Sequence, residues 1–267
     1  MGLFGGRKSK EALPEEVELY LPAKEVQRLK SAVFTKGGRT PARELWMLGF
    51  AAPLLGKDGQ KVDVFPHYEG RAFSRMQAMY RKNWGDDSRE NLLAQVRELE
   101  TGGQRERLDL LYQILRTNPP EHWGDMASRL PDYTSAQLEK LRGMEKVFEL
   151  LAAYEIALPS ETLYAFDLAR AANLIAVGCG LGYLPKEEAA AELEKIAAAS
   201  LRCYSSWSDY YGGYIIGRSL WAWSIGQYVL MDAPAVRNVC RILLKAPESP
   251  YQKIALTYGA DSWVSDD

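Results

Sequence analysis

The residues best suited to chemistry lie between Leu163 and Trp223, where an acid and two arginines stand among tyrosines and tryptophans. Asp167 and Arg170 are three residues apart on a predicted helix, so they occupy neighbouring positions of one helix face. Asn173 extends this polar edge by a further three residues. The opposite side of the same helix is apolar and is predicted to face the core.

A second polar group lies in an aromatic stripe on a later predicted helix. Arg218 stands four residues after Tyr214, a spacing that places both side chains on one face. An arginine buried among aromatic rings needs a partner, and Asp167 is the predicted one, through a bidentate pair. The candidate binding set spans both helices and consists of Asp167, Arg170, Asn173, Tyr204, Trp207, Tyr214, Arg218 and Trp221, with Arg89 and Arg105 as secondary candidates.

Such a set has three possible uses. A positively charged pocket with aromatic walls can hold a phosphate group or a nucleobase. Asp167 together with a tyrosine can perform acid–base chemistry on a sugar or a nucleotide. The same residues can also form a buried network that fixes how two helices dock, and the sequence favours this third use, because helical ion pairs and aromatic stripes are most often packing.

Three glycines follow the first of these helices at alternate positions, Gly178, Gly180 and Gly182. Their spacing is similar to that of a phosphate-binding loop, but such a loop follows a strand, whereas these glycines follow a helix. We therefore predict that Gly178 ends the helix as its C-cap. Gly180 and Gly182 are then expected to form a tight turn between two helices.

The sequence contains no recognisable motif for a metal, a cofactor or a catalytic set. His67 and His122 are isolated and lack the spacing of metal-binding histidines. Neither a nucleophile elbow nor a P-loop is present. The three cysteines, Cys179, Cys203 and Cys240, are far apart, as is typical of reduced thiols. We therefore expect neither a metal nor a cofactor, and we assign no catalytic residue.

Hydrophobic periodicity predicts helices along nearly the whole chain. About ten helices with little or no strand indicate an all-α fold, a single multi-helix domain over residues 16–247. Residues 1–15 are predicted to form a flexible basic tail, and residues 248–267 a polar, acidic one. Residues 62–65 are the one candidate for a short extended piece.

Local signals predict several helix boundaries. Asp87, with Glu90 three residues later, has the form of a capping box, so a helix should begin directly after Asp87. Ser205 or Ser206 is expected to cap the aromatic helix. A long amphipathic pattern predicts one continuous helix over residues 136–158.

Charge and hydropathy exclude several classes of partner. The 33 basic and 35 acidic side chains among 267 residues leave a formal net charge of −2, so no overall field favours nucleic acid, and we expect no nucleic-acid partner. The longest apolar run, Leu45 to Leu55, is too short to cross a bilayer, and residues 1–10 lack the apolar core of a secretory signal. We therefore expect a cytoplasmic protein without a transmembrane segment.

Residues 1–10 carry three basic side chains and no acidic one. Leu3 and Phe4 could insert shallowly into a membrane, which leaves weak membrane or partner contact through this segment as an alternative. The sequence favours the simpler interpretation, a solvated tail.

The segment FDLARAANLIAVGCGLGYLPKEEA, followed by YSSWSDYYGGYIIGRSLW, resembles the bacterial domain-of-unknown-function family number 1266. The similarity extends to the W-x-L-G helix at Trp46, to NWGDDSRENLL and to GGQRERLD, and covers about residues 41–234. The resemblance implies an all-helical bacterial cytoplasmic domain without an established activity. Relatives tend to have histidine where this chain has Gln104, so that histidine is not available here as a general base. The residues shared with the family are Trp84, Ser88, Arg89, Gly103, Arg105, Asp167, Arg170, Gly182, Tyr183, Tyr204, Trp207, Tyr214, Gly217, Arg218 and Trp221.

The abundance of Tyr, Trp and Arg without a catalytic set favours a protein-interaction role, because these residues dominate interface hot spots. We therefore predict a non-enzymatic helical interaction module with a protein partner, of an accessory or immunity type in a bacterial secretion system. The alternative is an enzyme or binding protein for a phosphorylated or nucleotide-like small molecule, with an Asp/Arg/Tyr pocket. The two hypotheses differ in whether Asp167, Arg170 and Arg218 line an open pocket or are sealed into the core.

Overall fold

The computed structural model describes residues 23–35, 39–85, 88–119, 121–122, 133–134, 138, 140–227 and 233–263. These residues form ten α-helices and no strand, which confirms the predicted all-α class, and none of these helices is long and apolar enough to cross a membrane. The helices are α1 (Ala23–Val33), α2 (Ala42–Lys57), α3 (Gly70–Trp84), α4 (Arg89–Thr101), α5 (Arg105–Thr117), α6 (Gly143–Ala153), α7 (Ala165–Gly180), α8 (Lys186–Leu201), α9 (Trp207–Ser224) and α10 (Ala233–Lys245). Short 3-10 segments occupy Lys140–Arg142, Pro250–Gln252 and Leu256–Trp263.

Helix α7 lies at the centre of the fold. It packs against α2, α4, α8 and α9. Every residue from Ala165 to Gly178 is buried except Arg170, so the helix has no continuous face towards solvent. A helix that is surrounded in this way is apolar on nearly all sides. Asp167 and Asn173 are its buried polar residues.

Helix α2 is the second buried helix. Its residues 46–53 are all buried, and it packs against α7, α8 and α10. Helix α2 begins at Ala42, directly after Pro41, where the fixed φ of proline suits a helix start. These two buried helices, which pack against each other, therefore come from distant parts of the chain.

Serine side chains cap two helices. Ser88 accepts a hydrogen bond of 3.2 Å from the backbone N–H of Asn91, so the predicted cap at Asp87, which lies outside the described residues, is wrong by one position. Both Asp and Ser are good caps, and the sequence alone does not separate adjacent ones. Ser206 accepts from the backbone N–H of Asp209 at 3.1 Å and is therefore the cap among the two predicted serines.

Two predicted helix ends differ from the structure. In the described part of residues 136–158, Leu138 is helical, Lys140–Arg142 form a 3-10 turn, and α6 follows and ends before Glu155, a residue with a φ of 53°. The continuous helix predicted there is therefore wrong. Gly178 is not a C-cap, because α7 continues through it to Gly180, with the side chain of Leu92 packed where a Cβ of Gly178 would lie.

The predicted polar tail over residues 248–267 is wrong for residues 249–259. Leu256 is buried, and its carbonyl accepts a hydrogen bond of 2.6 Å from Nε1 of Trp46. Nε1 of Trp207 donates to the carbonyl of Ile254 at 2.7 Å. Tyr251 is also buried, so this segment closes the core over two tryptophans. The predicted N-terminal tail, residues 1–15, lies outside the described residues.

Gly49 is where the C-terminal segment and α9 approach α2 most closely. A Cβ atom at Gly49 would lie 2.4 Å from the Trp207 ring and 2.8 Å from the Tyr251 ring. We expect Gly49→Ala to lower the free energy of unfolding by about 1–3 kcal/mol, because two packed rings must move. Chemical denaturation followed by circular dichroism measures this difference.

Gly102→Ala is the matched control. The nearest atom to a Cβ at Gly102 is the Glu98 carbonyl oxygen at 3.5 Å, an ordinary contact, and the φ of −121° suits any residue. We expect a change within about 0.5 kcal/mol. Equal effects of the two substitutions would contradict the close packing described at Gly49.

Candidate functional site

Asp167 is fully buried and is surrounded by hydrogen-bond donors. Its Oδ2 accepts from the backbone N–H of Gln104 at 2.8 Å. Arg170 donates to Oδ1. The first N–H groups of a helix lack an acceptor within the helix. Asp167 of α7 therefore caps the start of α5 from outside.

Burial and hydrogen bonding change the pKa of Asp167 in opposite directions. Burial raises this pKa, because the charged carboxylate loses its contact with water. Arg170 and the backbone N–H groups of Gln104 and Arg105 lower it, but burial is the larger effect and the pKa lies above its usual range. Because both carboxylate oxygens of Asp167 already bond to protein donors, they are not available to a substrate in this conformation.

The turn before α5 meets Asp167 at Gly103. The φ of Gly103 is 38°, in the left-handed region that favours glycine. A Cβ atom on Gly103 would lie 2.3 Å from Oδ2 of Asp167. Only glycine therefore allows the backbone to approach the carboxylate this closely.

Arg170 reaches the surface although its helix is buried. Of its side chain, 16% is exposed. The central carbon of its guanidinium lies 4.3 Å from the centre of the Phe166 ring and 5.8 Å from that of Trp84. Its Nε is buried and has no hydrogen-bond partner in the described part of the chain. The guanidinium therefore lies between a buried carboxylate and two aromatic rings.

Arg218 of α9 lies on the other side of the same aromatic group. Its guanidinium carbon is 4.7 Å from the centre of the Trp221 ring, and this ring is 6.1 Å from that of Phe166. Two partly exposed arginines thus contact one set of rings. We call the half-exposed Trp84, Arg170, Arg218 and Trp221, with the buried Phe166 beneath them, the arginine–tryptophan patch.

Tyr214 lies beside Phe166 below this patch. Its side chain is fully buried, and the centres of the two rings are 6.2 Å apart. Burial raises the pKa of Tyr214, whereas the charges of Arg218 and Arg170 act to lower it, so both guanidinium groups lie within electrostatic reach. The Tyr214 hydroxyl has no hydrogen-bond partner among the described residues.

The structure pairs Asp167 with Arg170 and not with the predicted partner, Arg218. Arg170 is one turn away on the same helix, so it reaches the carboxylate without crossing between helices. Asn173 also departs from the prediction, since its Nδ2 donates to the hydroxyl of Tyr80 at 2.7 Å. The predicted polar set is therefore divided into a buried network and a surface patch.

Tyr204 and Trp207 serve packing. The Tyr204 hydroxyl donates to the carbonyl of Thr162 at 2.9 Å and accepts from the backbone N–H of Ala165 at 2.8 Å, at the start of α7. The Trp207 ring stacks on that of Tyr211 at 5.6 Å. Both candidates are buried, so they hold α9 in place.

The secondary candidates, Arg89 and Arg105, contact residues outside the patch. Arg89 forms an ion pair with Glu188 at the surface. The Arg105 side chain lies 4.6 Å above the Tyr164 ring, with its Nε 3.6 Å from Oδ2 of Asp109. Among the described residues, no three His, Cys, Asp or Glu side chains are grouped so that they could hold a metal ion.

Phe166 and Trp84 belong to the patch but were not among the candidate site residues. Phe166 is apolar, and its spacing along the helix predicts a core residue. Only the packing of α7 against α9 shows that its ring lies between Arg170 and the Trp221 ring that Arg218 contacts. Trp84 ends α3 and is distant in sequence from the other patch residues. The one indication in the sequence that Trp84 belongs to the site is that it is shared with the family.

A cleft of about 450 Å³ lies between α1, the start of α2 and the C-terminal segment. Its lining includes Asp63, whose carboxylate accepts from the backbone N–H and the hydroxyl of Thr35 at 2.7 and 2.9 Å. Lys30 and Glu248 stand 3.9 Å apart at its edge. The cleft shares no residue with the patch. No sequence motif indicates it, because it joins residues 27–63 to residues 248–250.

We expect Asp167→Asn to lower the free energy of unfolding by about 1–3 kcal/mol. The amide cannot accept from all the donors around it, and it leaves Arg170 without a buried counter-charge. Urea denaturation of the full chain at neutral pH measures the difference.

Glu188→Gln is the control for this substitution. It removes the partner of Arg89 in an exposed ion pair, and we expect no measurable change in the denaturation midpoint. If both substitutions change the midpoint equally, Asp167 is not the structural group described above.

A bacterial protein is similar in sequence to part of this chain. The protein described as Uncharacterized protein YbeR, from Escherichia coli (strain K12), is 26% identical to it over 139 residues, which are 52% of this chain and 55% of YbeR. The chain therefore spans about half the length of this relative. No solved structure matches the chain.

A family model described as "Protein of unknown function (DUF1266)" matches residues 79–256. The match begins and ends later than the range of about 41–234 that the sequence resemblance indicated. It contains the whole arginine–tryptophan patch together with Asp167 and Tyr214, whereas most residues that line the cleft precede it. Because the match covers more than half of the chain, this protein belongs to the DUF1266 family.

Proposed function

We propose that this protein is a non-enzymatic helical module that binds a protein partner through the arginine–tryptophan patch. The observation that carries the proposal is the arrangement of Arg170 and Arg218, two partly exposed arginines whose guanidinium groups rest on aromatic rings. Arginine and tryptophan are enriched among the residues that dominate binding energy at interfaces. Such residues combine a large contact area with directional hydrogen bonds.

The buried ring beneath the patch reduces the side-chain entropy that the two arginines lose when a partner binds. Phe166 is buried on α7 and contacts Trp221 of α9, so the two arginines stand on helices that pack against each other. Stacking on a ring restricts a guanidinium before a partner arrives. Less side-chain entropy is then lost when the complex forms.

The charge of the patch indicates the chemistry of the partner. Arg170 and Arg218 bring two positive charges, and the carboxylate that bonds to Arg170, Asp167, is buried below. A partner with acidic side chains beside an apolar surface would complement this arrangement. The proposal includes the accessory or immunity role and the cytoplasmic location that we predicted from the sequence.

A second candidate function is the binding of a phosphorylated or nucleotide-like small molecule at the same patch. The buried Tyr214 hydroxyl, which lies near two guanidinium groups, favours this candidate. Asp167 is enclosed by protein donors, so the candidate is a binding function without an acid–base step. A thermal-shift screen with nucleotides and sugar phosphates tests it, and a flat response would exclude it.

We expect Trp221→Ala and Arg218→Ala each to weaken binding of the native partner about tenfold or more, because each removes a central contact. The partner is first identified by photo-crosslinking from position 225, since Ile225 is exposed and follows Trp221 by four residues. Calorimetry with the purified partner then measures both variants.

Arg43→Ala is the matched control for these variants. Arg43 is an exposed arginine that pairs with Glu194 and is not part of the patch, so its loss should leave the affinity unchanged. Unchanged binding by both patch variants would show that the partner docks elsewhere.

A further inference from the structure

We infer that the arginine–tryptophan patch contains an oxyanion site, in which Arg170 and the Tyr214 hydroxyl bind an oxygen of a carboxylate or phosphate group, with Arg218 beside it. The inference rests on the proposed function and deepens it, because it names the chemical group that the patch binds and the donors that bind it. The group belongs either to an acidic side chain of a bound protein or to a free compound.

Two buried donors, on residues that pack against the Phe166 ring, have no acceptor in the described part of the chain. They are the Tyr214 hydroxyl and the Nε–H of Arg170. Buried polar groups in proteins are almost always hydrogen-bonded, so each exception calls for an explanation. One acceptor oxygen held between Arg170 and Tyr214 would satisfy both donors.

The other tyrosines of α9 show that Tyr214 is unusual. Tyr210 and Tyr211 are just as deeply buried, and their hydroxyls donate to the carbonyls of Phe50 and Gly49, each at 3.2 Å. Helix α9 therefore places its buried hydroxyls against acceptors of α2. Packing alone does not explain why the hydroxyl of Tyr214 is directed otherwise.

The surrounding charge favours an anion over a neutral acceptor. A guanidinium has five N–H donors in one plane, and Asp167 accepts from Nη2 of Arg170. The Nε–H of Arg170 is therefore not used by Asp167, and the charges of Arg218 and Arg170 both act on Tyr214, where the charge of Asp58 opposes them. A charged N–H donor binds an oxygen of a carboxylate or a phosphate more strongly than it binds a neutral acceptor.

The test compares Tyr214→Phe with Tyr211→Phe in the full chain. Without added anion, Tyr211→Phe should lower the melting temperature by about 2–4 °C, because it leaves the Gly49 carbonyl without its donor. Tyr214→Phe should leave the melting temperature unchanged or raise it, since it removes a hydroxyl that has no partner. If Tyr214→Phe destabilises as much as Tyr211→Phe, or does not fold, the hydroxyl already has a structural partner and the inference is wrong.

Inorganic phosphate and acetate are then titrated separately at constant ionic strength, and binding is measured by calorimetry. The wild type and Tyr211→Phe should bind at least one of the two anions saturably, and Tyr214→Phe and Arg170→Lys should bind it about tenfold more weakly or worse. Preference for acetate identifies a carboxylate as the bound group, and preference for phosphate identifies a phosphorylated compound.

Excluded phosphate also stabilises folded proteins without binding, and this effect is equal in all variants. The inference is overturned if neither anion binds saturably, or if all four proteins bind alike. That outcome would leave the docking of a protein on Trp221 and Arg218 untouched, whereas loss of partner binding alone would leave the oxyanion site in place.

Discussion

The burial of one carboxylate inside α7 determines much of the structure around it. A charge in a fully buried helix persists only where donors surround it. Asp167 obtains them from Arg170 and from the backbone at the start of α5, and Gly103 provides the space for that approach. Because one edge of Arg170 is turned to Asp167, its guanidinium is held against Phe166. The arginine–tryptophan patch therefore depends on the charge below it.

Local signals allowed much of the fold to be predicted, whereas long-range contacts decided the rest. The all-α class, the serine cap of α9 and the nearness of Asp167 to Arg170 follow from spacing along a helix. The bond from Gln104 to Asp167 joins residues 63 positions apart, which no periodicity encodes. The C-terminal segment was predicted as a tail because short 3-10 turns have no long amphipathic pattern. Whether the candidate residues face a pocket or a core is set by packing between helices, which spacing does not reveal.

The region that matches the DUF1266 family is not the whole core of this chain. It begins at residue 79, after α2, yet α2 lies against α7 over much of its length and supplies the carbonyls of Gly49 and Phe50 to the tyrosines of α9. Without α2, one side of the central helix and two tyrosine hydroxyls would meet water. The matched region therefore needs an element from outside its bounds in order to bury its own central helix.

The contact between Trp46 and Leu256 has a consequence for the order in which the protein is made. The two residues are 210 positions apart, so the indole of α2 receives its hydrogen-bond acceptor only when the ribosome has added 210 further residues. Until then α2 exposes apolar surface that later residues will cover, and such surface attracts other chains. During synthesis we therefore expect the α2 side of the core to stay open until residue 256 has been added.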